Sequence, residues 1–313
     1  MSRHVTIAAF NMGFHNAGDF VGRYDHPSSI QFGPTLADNL AIFERLISQA
    51  GTRFGADFVC FSEHALKLGV EGSDTELAVA VPGPEVQRLA EAARQANCCV
   101  VMGLLEKVGQ KPYNSAVVLG PEGSLVGTYR KVHLTPGEYL TRTPGTEWPV
   151  FTTPRARIGI QICYDYYFPE TTRCLALGGA EIVFSPTMQD ARGLEQVMAL
   201  QRARAIDNGI YFVSSVTFTG GHEPHSTARS LVIDPVGVVR ADSGFRDGWA
   251  VATVDLDDPF PQYWSGIPAP QRMRAMLFKS RRPETYGAII NPKACPPWHD
   301  VILDGSDPGY PEI

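Results

Sequence analysis

The chain has 313 residues, 44% of them hydrophobic, with 27 basic side chains against 33 acidic ones, a formal net charge of -6 and a pI near 5.8. That length exceeds a single typical domain of about 150 residues, and the acidic balance, with no basic cluster longer than Ser-Arg-Arg at 280–282, offers little to nucleic acid or to an anionic membrane. No apolar stretch approaches the roughly 20 residues that a bilayer demands, and the opening MSRHVTIAAF lacks the pattern of an export signal, so the expectation is a soluble cytoplasmic protein acting on small molecules.

VTIAAFNM at 5–12 reads as a buried strand. In PTLADNLAIFERLISQAG, Leu36, Leu40, Phe43 and Ile47 share one helical face, with Thr35 as N-cap and Gly51 as the stop. A second strand, ADFVCFSE, follows at 56–63. Pro84 suits the first turn of a helix carrying Val86, Leu89, Ala90 and Ala93, and CCVVMGLLE at 98–106 is another buried strand. NSAVVLGPEGSLVGTYRK predicts a hairpin across Pro-Glu-Gly. From ARIGIQIC at 156–163 the rhythm repeats: a helix from Pro169 to Leu177, strand AEIVFSP, a helix across GLEQVMALQRARAIDNG, strand IYFVSSV, then strands near 228–233 and 249–255.

GADFVCFS at 55–62 and GAEIVFS at 179–185 echo one another, which suits one domain built from two similar halves at 1–257. Near-continuous hydrophobic strands need cover on both faces, and the helices are amphipathic, so the expected α/β architecture is two stacked sheets with helices outside. The segment 258–313 holds 10 of the 24 prolines, with Tyr263, Trp264, Phe278 and Trp298 among them; the prolines exclude a sheet core, and the aromatics predict an extension that docks on the domain or on a partner subunit.

The six cysteines (Cys60, Cys98, Cys99, Cys163, Cys174, Cys295) show no Cys-x-x-Cys spacing, and reduced thiols are expected. Cys98 and Cys99 fall on alternate faces of an apolar strand, as core. Cys163, in GIQICYDYYFPE, sits where a strand ends and Pro169 starts a helix, an address at which free backbone N–H groups raise thiolate character. Position alone leaves an inert core cysteine open, since free cysteine is among the most buried residue types. Glu63 closes an apolar strand, where burial raises a carboxyl towards the range of a general base. Lys131 follows a strand in GTYRKVHLTPGE, with Glu138 seven residues on across a Pro-Gly turn, and a lysine near a thiolate and an oxyanion stabilises both. Each charge taken singly reads equally as a surface loop residue.

Taken together, FSEH with Glu63, YRKVHL with Lys131 and CYDYYFPE with Cys163 resemble, in order and spacing, the Glu-Lys-Cys triad of the nitrilase superfamily of carbon-nitrogen hydrolases. The likeness runs from about residue 5 to 257 and takes in RARAIDNGIYFV and ARSLVIDPVG. It implies a four-layer αββα sandwich of two mixed sheets that pairs into a homodimer or larger assembly. It also implies that Glu138 positions Lys131 and substrate. Two residues depart from the family pattern: Ser62 stands where a proline usually precedes the glutamate, and Tyr166 and Tyr167 stand where carbamoyl-amino-acid hydrolases carry an arginine.

The expected chemistry is hydrolysis of a small linear non-peptide amide through a Cys163 thioester, with Glu63 moving the proton and Lys131 with the Tyr164 N–H holding the oxyanion, without metal or organic cofactor. Tyr166, Tyr167 and Phe168 form an expected aromatic wall, and Tyr164 and Thr187 complete the substrate-binding set with Tyr166 and Tyr167; packing at the helix start is the other role open to the wall. A carbamoyl substrate is the nearest rival, since RRPETYGAI resembles carbamoyl-D-amino-acid hydrolases, and a nitrile is more distant because Tyr164-Asp165 replaces Trp-Glu. Two readings from other classes are a zinc site built from His222 and His225 with His64 or His133, and a thiol-sensing scaffold around Cys163.

Overall fold

The computed structural model describes residues 2–13, 32–189, 194–218, 229–244 and 247–291. Two six-stranded mixed sheets are stacked face to face. The first runs, in spatial order, β12 (Gly248–Asp255), β1 (His4–Gly13), β2 (Phe58–Cys60), β3 (Cys99–Glu106), β4 (Tyr113–Leu119) and β5 (Leu125–Arg130). The second runs β6 (Val150–Thr152), β7 (Arg157–Ile160), β8 (Ile182–Gln189), β9 (Tyr211–Phe218), β10 (Leu231–Ile233) and β11 (Val239–Asp242). They join where Met12 and Gly13 pair with Thr217 and Phe218.

Each sheet is built on three adjacent parallel strands with helices between them. In the first, α1 (Leu36–Phe54) and α2 (Pro84–Ala96) link β1, β2 and β3; in the second, α4 (Pro169–Leu177) and α5 (Leu194–Asn208) link β7, β8 and β9. The repeated Gly-Ala-acid segments open β2 and β8, the second parallel strand of each half. Strand alternation divides the core into layers. Ala8, Phe10 and Met12 face α1 and α2, whereas Val5, Ile7 and Ala9 face the second sheet. Cys98 and Cys99 split the same way, and a third cluster packs α4 and α5 on the second sheet. The result is the expected αββα sandwich.

Thr35 caps α1 through a reciprocal pair with Asp38, but the helix does not stop at Gly51. It runs to Phe54 and ends at Gly55 in the left-handed conformation (φ 59°), which glycine adopts without a Cβ penalty. Gly51 serves packing instead: a Cβ there would lie 2.5 Å from the Ala96 carbonyl oxygen at the end of α2. A short helix, α3 (Pro136–Thr141), replaces the expected turn after Lys131, because Thr135 and Glu138 form a capping box around its first turn. From residue 258 the chain passes through a further helix, α6 (Met273–Lys279). Its Arg274 donates to the carbonyls of Ala176 and Ala180 at 3.1 and 2.8 Å, and Phe278 packs against the third cluster. Tyr263 and Trp264 stay 77% and 56% exposed. Trp298 and Cys295 lie outside the described residues. No helix among the described residues is long and apolar enough to cross a membrane.

Candidate active site

β7 ends at Ile160, and the chain turns at Cys163, whose φ of 45° is a left-handed conformation that a residue with a Cβ adopts only under constraint. The constraint comes from Asp165, fully buried. Its Oδ2 accepts from Ile162 N at 2.8 Å and the Tyr129 hydroxyl at 2.7 Å; its Oδ1 accepts from His133 N and faces His133 Nδ1, both at 3.0 Å. The five residues Cys163–Tyr167 form a 3-10 turn, and α4 then begins at Pro169 as the sequence predicts.

Glu63 reaches the same end of the sandwich from beyond β2. Gly103 of β3 makes room for it: a Cβ at that position would collide with the Ser62 carbonyl oxygen and lie 2.8 Å from Glu63 Cα. Ser62, where the family pattern has proline, hydrogen-bonds the Thr217 hydroxyl across the junction of the two sheets. Glu63 Oε1 accepts from Lys131 Nζ at 2.9 Å and Asn114 Nδ2 at 2.6 Å, and Oε2 accepts from Met188 N at 2.8 Å. Lys131 Nζ also donates to Glu138 Oε2 at 2.8 Å. Glu138, third residue of α3, takes Thr135 N on the same oxygen at 2.9 Å, and Asn114 Nδ2 at 2.8 Å and Arg142 Nη1 on the other. Asp74 then receives Arg142 Nε at 2.8 Å and Lys67 Nζ at 2.7 Å. The Cys163 thiol donates to the carbonyl of Met188 at 3.3 Å, so one residue at the end of β8 contacts both the carboxylate and the sulfur.

Burial opposes the charge of Lys131, yet Glu63, Cys163 and Glu138 outweigh it and hold the ammonium above its ordinary range. Burial likewise raises Glu138, and Lys131 with Arg142 reverses that and brings its carboxyl down to about 2. At Cys163, where the sequence suggests backbone N–H groups that raise thiolate character, the surroundings act the other way. Burial first, then the Glu63 charge, push its thiol well above the usual value, against the pull of Lys131.

Glu63, Lys131, Glu138 and Cys163 are therefore gathered at one place. The aromatic wall is reduced to fewer members. Tyr164 is part-exposed, its ring 5.5 Å from Tyr167 and edge-on to Phe168 at 5.2 Å. Tyr166 is 1% exposed and belongs to the core cluster with Val183 and Phe212, where the turn directs it inward, so it cannot present a face to solvent. Tyr167 stacks on it at 4.9 Å and is part-exposed. Thr187 is buried with its hydroxyl donating to the Ser185 carbonyl at 3.1 Å, and the next residue, Met188, contacts the site instead, through its peptide N–H and carbonyl. Asn114, Asp165, Arg142 and Met188 went unread in the sequence. A polar Asn opening the apolar strand YNSAVVL and an arginine four residues after Glu138 were the available signals.

Among the described residues, Glu63, His64 and Glu138 bring possible ligand atoms within 4.8 Å of one another. The Lys131 ammonium lies between the two carboxylates and already supplies the cation. His133 is tied to Asp165, away from His64, while His222 and His225 lie outside the described residues.

The family model of carbon-nitrogen hydrolase matches residues 28–259. The omega-amidase NIT2 of Danio rerio is 31% identical over 262 residues, covering 80% of this chain and 91% of its own. A deaminated glutathione amidase of Synechocystis is 32% identical over 243 residues, covering 72% and 88%. A carbon-nitrogen hydrolase from Helicobacter pylori superposes with a TM-score of 0.73 at 19% identity, over 92% of this chain and 98% of that one. An amidase mutant from Nesterenkonia sp., with the acetamide moiety of fluoroacetamide added covalently at its active-site cysteine, superposes with a TM-score of 0.66 at 21% identity, over 90% and 95%. The chain belongs to the carbon-nitrogen hydrolase family, within the nitrilase superfamily, and is an amidohydrolase of carbon-nitrogen bonds other than peptide bonds.

Proposed function

We propose that the protein hydrolyses a small linear amide through a thioester on Cys163. The observation that carries the reading is the shared contact at Met188, which sets the sulfur beside a carboxylate whose other oxygen is tied to a buried ammonium. As sulfur bonds to the amide carbon, the thiol proton passes to Glu63 and the carbonyl π pair moves to oxygen. Lys131 has three N–H donors, two of them on Glu63 and Glu138; the third, with the Tyr164 N–H, holds the oxyanion. The C–N bond then breaks as Glu63 returns the proton to nitrogen, and ammonia or an amine leaves. Water attacks the thioester, giving its proton to Glu63, and the acid departs as the thiol recovers that proton.

The named activities of the omega-amidase and deaminated glutathione amidase relatives support an amide substrate over a nitrile. Tyr164 and Tyr167 favour an uncharged acyl group beside the sulfur. Cytoplasmic residence and assembly into a homodimer or higher homo-oligomer belong to the same reading; the five described cysteines are free, as in a reducing compartment.

Ammonia release from a panel of linear amides, N-carbamoyl amino acids and nitriles tests it, together with mass spectrometry of an acyl adduct on Cys163. Turnover of linear amides with a trapped adduct supports the reading. Carbon dioxide released with ammonia from carbamoyl amino acids alone would replace the amide with a carbamoyl substrate, and full turnover by Cys163→Ala would end the thioester mechanism.

A further inference from the structure

Resting on the reading above, we infer that Asn114 is a positioning residue that selects which oxygen of Glu63 takes the proton from the thiol. Three observations converge on it. Its single Nδ2 donates to both carboxylates that hold the lysine, at 2.6 Å to Glu63 Oε1 and 2.8 Å to Glu138 Oε1. Its main-chain carbonyl accepts from Lys131 N at 2.8 Å. One residue of β4 thus fixes the backbone of the ammonium and the side chains of both its counter-ions.

The third observation is what Asn114 gives up. The residue is fully buried, and its Oδ1 has no hydrogen-bond partner among the described residues. An amide placed only for packing would find a donor for that oxygen, since a buried unpaired carbonyl costs stability. Here the orientation is dictated by the two acceptors.

Counting lone pairs gives the consequence. A carboxylate offers about four acceptor positions, two on each oxygen. Lys131 and Asn114 occupy both on Glu63 Oε1, whereas among the described residues Oε2 holds Met188 N alone. The remaining position is on Oε2, beside the residue whose carbonyl receives the thiol. Without Asn114, Oε1 has a vacancy, the carboxylate can rotate about its terminal bond, and the base loses its fixed aim at sulfur.

The test is the rate of Cys163 alkylation by iodoacetamide against pH in the full-length protein, read by peptide mass spectrometry, with the exposed Cys174 as internal reference. Two variants remove both donors: Asn114→Leu, which keeps the branched skeleton, and Asn114→Asp, which keeps the shape and adds a charge. In Asn114→Leu the Cys163 rate at neutral pH is expected to fall about 10- to 100-fold, the scale of a misplacement of about 1 Å, with Cys174 unchanged. In Asn114→Asp a third carboxylate beside Glu63 disfavours ionisation, so the acid limb of the profile is expected to move to higher pH. A role in packing alone would lower the melting temperature while leaving the shape of the profile in place. Wild-type rates and profile in both variants would overturn the assignment, and so would unfolding of both, which would assign Asn114 to stability. Loss of alkylation in Asn114→Leu with full amide turnover in Cys163→Ala would instead take down the thioester reading.

Discussion

Arg204 of α5 donates Nε to the carbonyl of Tyr166 at 2.9 Å, and its Nη2 reaches Tyr167 O at 3.1 Å. A helix on the outer face of the second sheet thereby holds the far end of the turn that carries Cys163, while Asp165 holds the near end. The guanidinium is buried, and burial holds its pKa below the ordinary arginine value. Arg204→Ala leaves two carbonyls without their donor. Chemical denaturation should show a loss of about 2–3 kcal/mol, with a fall in kcat at nearly constant KM as the sulfur loses its fixed position.

On the thioester reading, Cys163→Ala should show no turnover above background. Glu63→Gln keeps the shape but cannot accept a proton, and kcat should drop by roughly 10²- to 10⁴-fold. Steady-state kinetics on the best amide of the panel measures both, and wild-type rates in Glu63→Gln would exclude it as the base.

Stability should fall on the acid side in two stages. Burial, then the charges of Arg142, Lys67 and Lys131, hold His64 neutral, well below its ordinary 6.5. The unfolded chain binds that proton first, so the contribution is present above about 6.5 and is lost as the pH drops below it. For Glu138 and Asp74, burial acts upward and the neighbouring cations win, bringing both from 4.5 and 3.8 down to about 2. Their contribution is complete above the unfolded values and disappears between them and about 2. Urea midpoints measured from pH 8 to 3 should show the first decline starting near 6.5, and His64→Phe should remove that stage while leaving the second.

Gly103 offers a backbone test of the base. Gly103→Ala drives a methyl into the Ser62–Glu63 main chain, a clash of the kind that costs about 1–3 kcal/mol when a packed site must give way. The effect on kcat should exceed the effect on melting temperature, because the displaced segment carries Glu63, the proposed proton acceptor. Equal, mild losses in both would show that the loop relaxes without moving Glu63.

Periodicity carried the elements with long apolar runs: α4 begins and ends at Pro169 and Leu177 as read, and the hairpin of β4 and β5 turns across Pro-Glu-Gly. Gly51 misled because the same residue type ends helices and admits close helix contacts, and only the neighbour at Ala96 distinguishes them. The gathering of Glu63, Lys131 and Cys163 was legible because these residues are chemically distinctive and sit at or just beyond strand ends. Met188 was not, since it acts through its peptide group, which no side-chain pattern reveals. Tyr166 was misplaced because a five-residue turn rotates successive side chains between core and solvent, a phase that aromatic composition does not encode.

The junction of β1 and β9 has a consequence for how this catalyst was put together. Glu63, Asn114, Lys131 and Glu138 come from one half of the chain, Cys163 and Met188 from the other, and neither half holds a working set. On the proposed mechanism, reactivity is a measure of inter-sheet alignment: a slip of one sheet on the other, even with both intact, would part acid from sulfur. Fragments severed in the stretch between α3 and β6 should each be inert and regain chemistry only on recombining, so that hydrolysis reports the mating of two otherwise silent pieces.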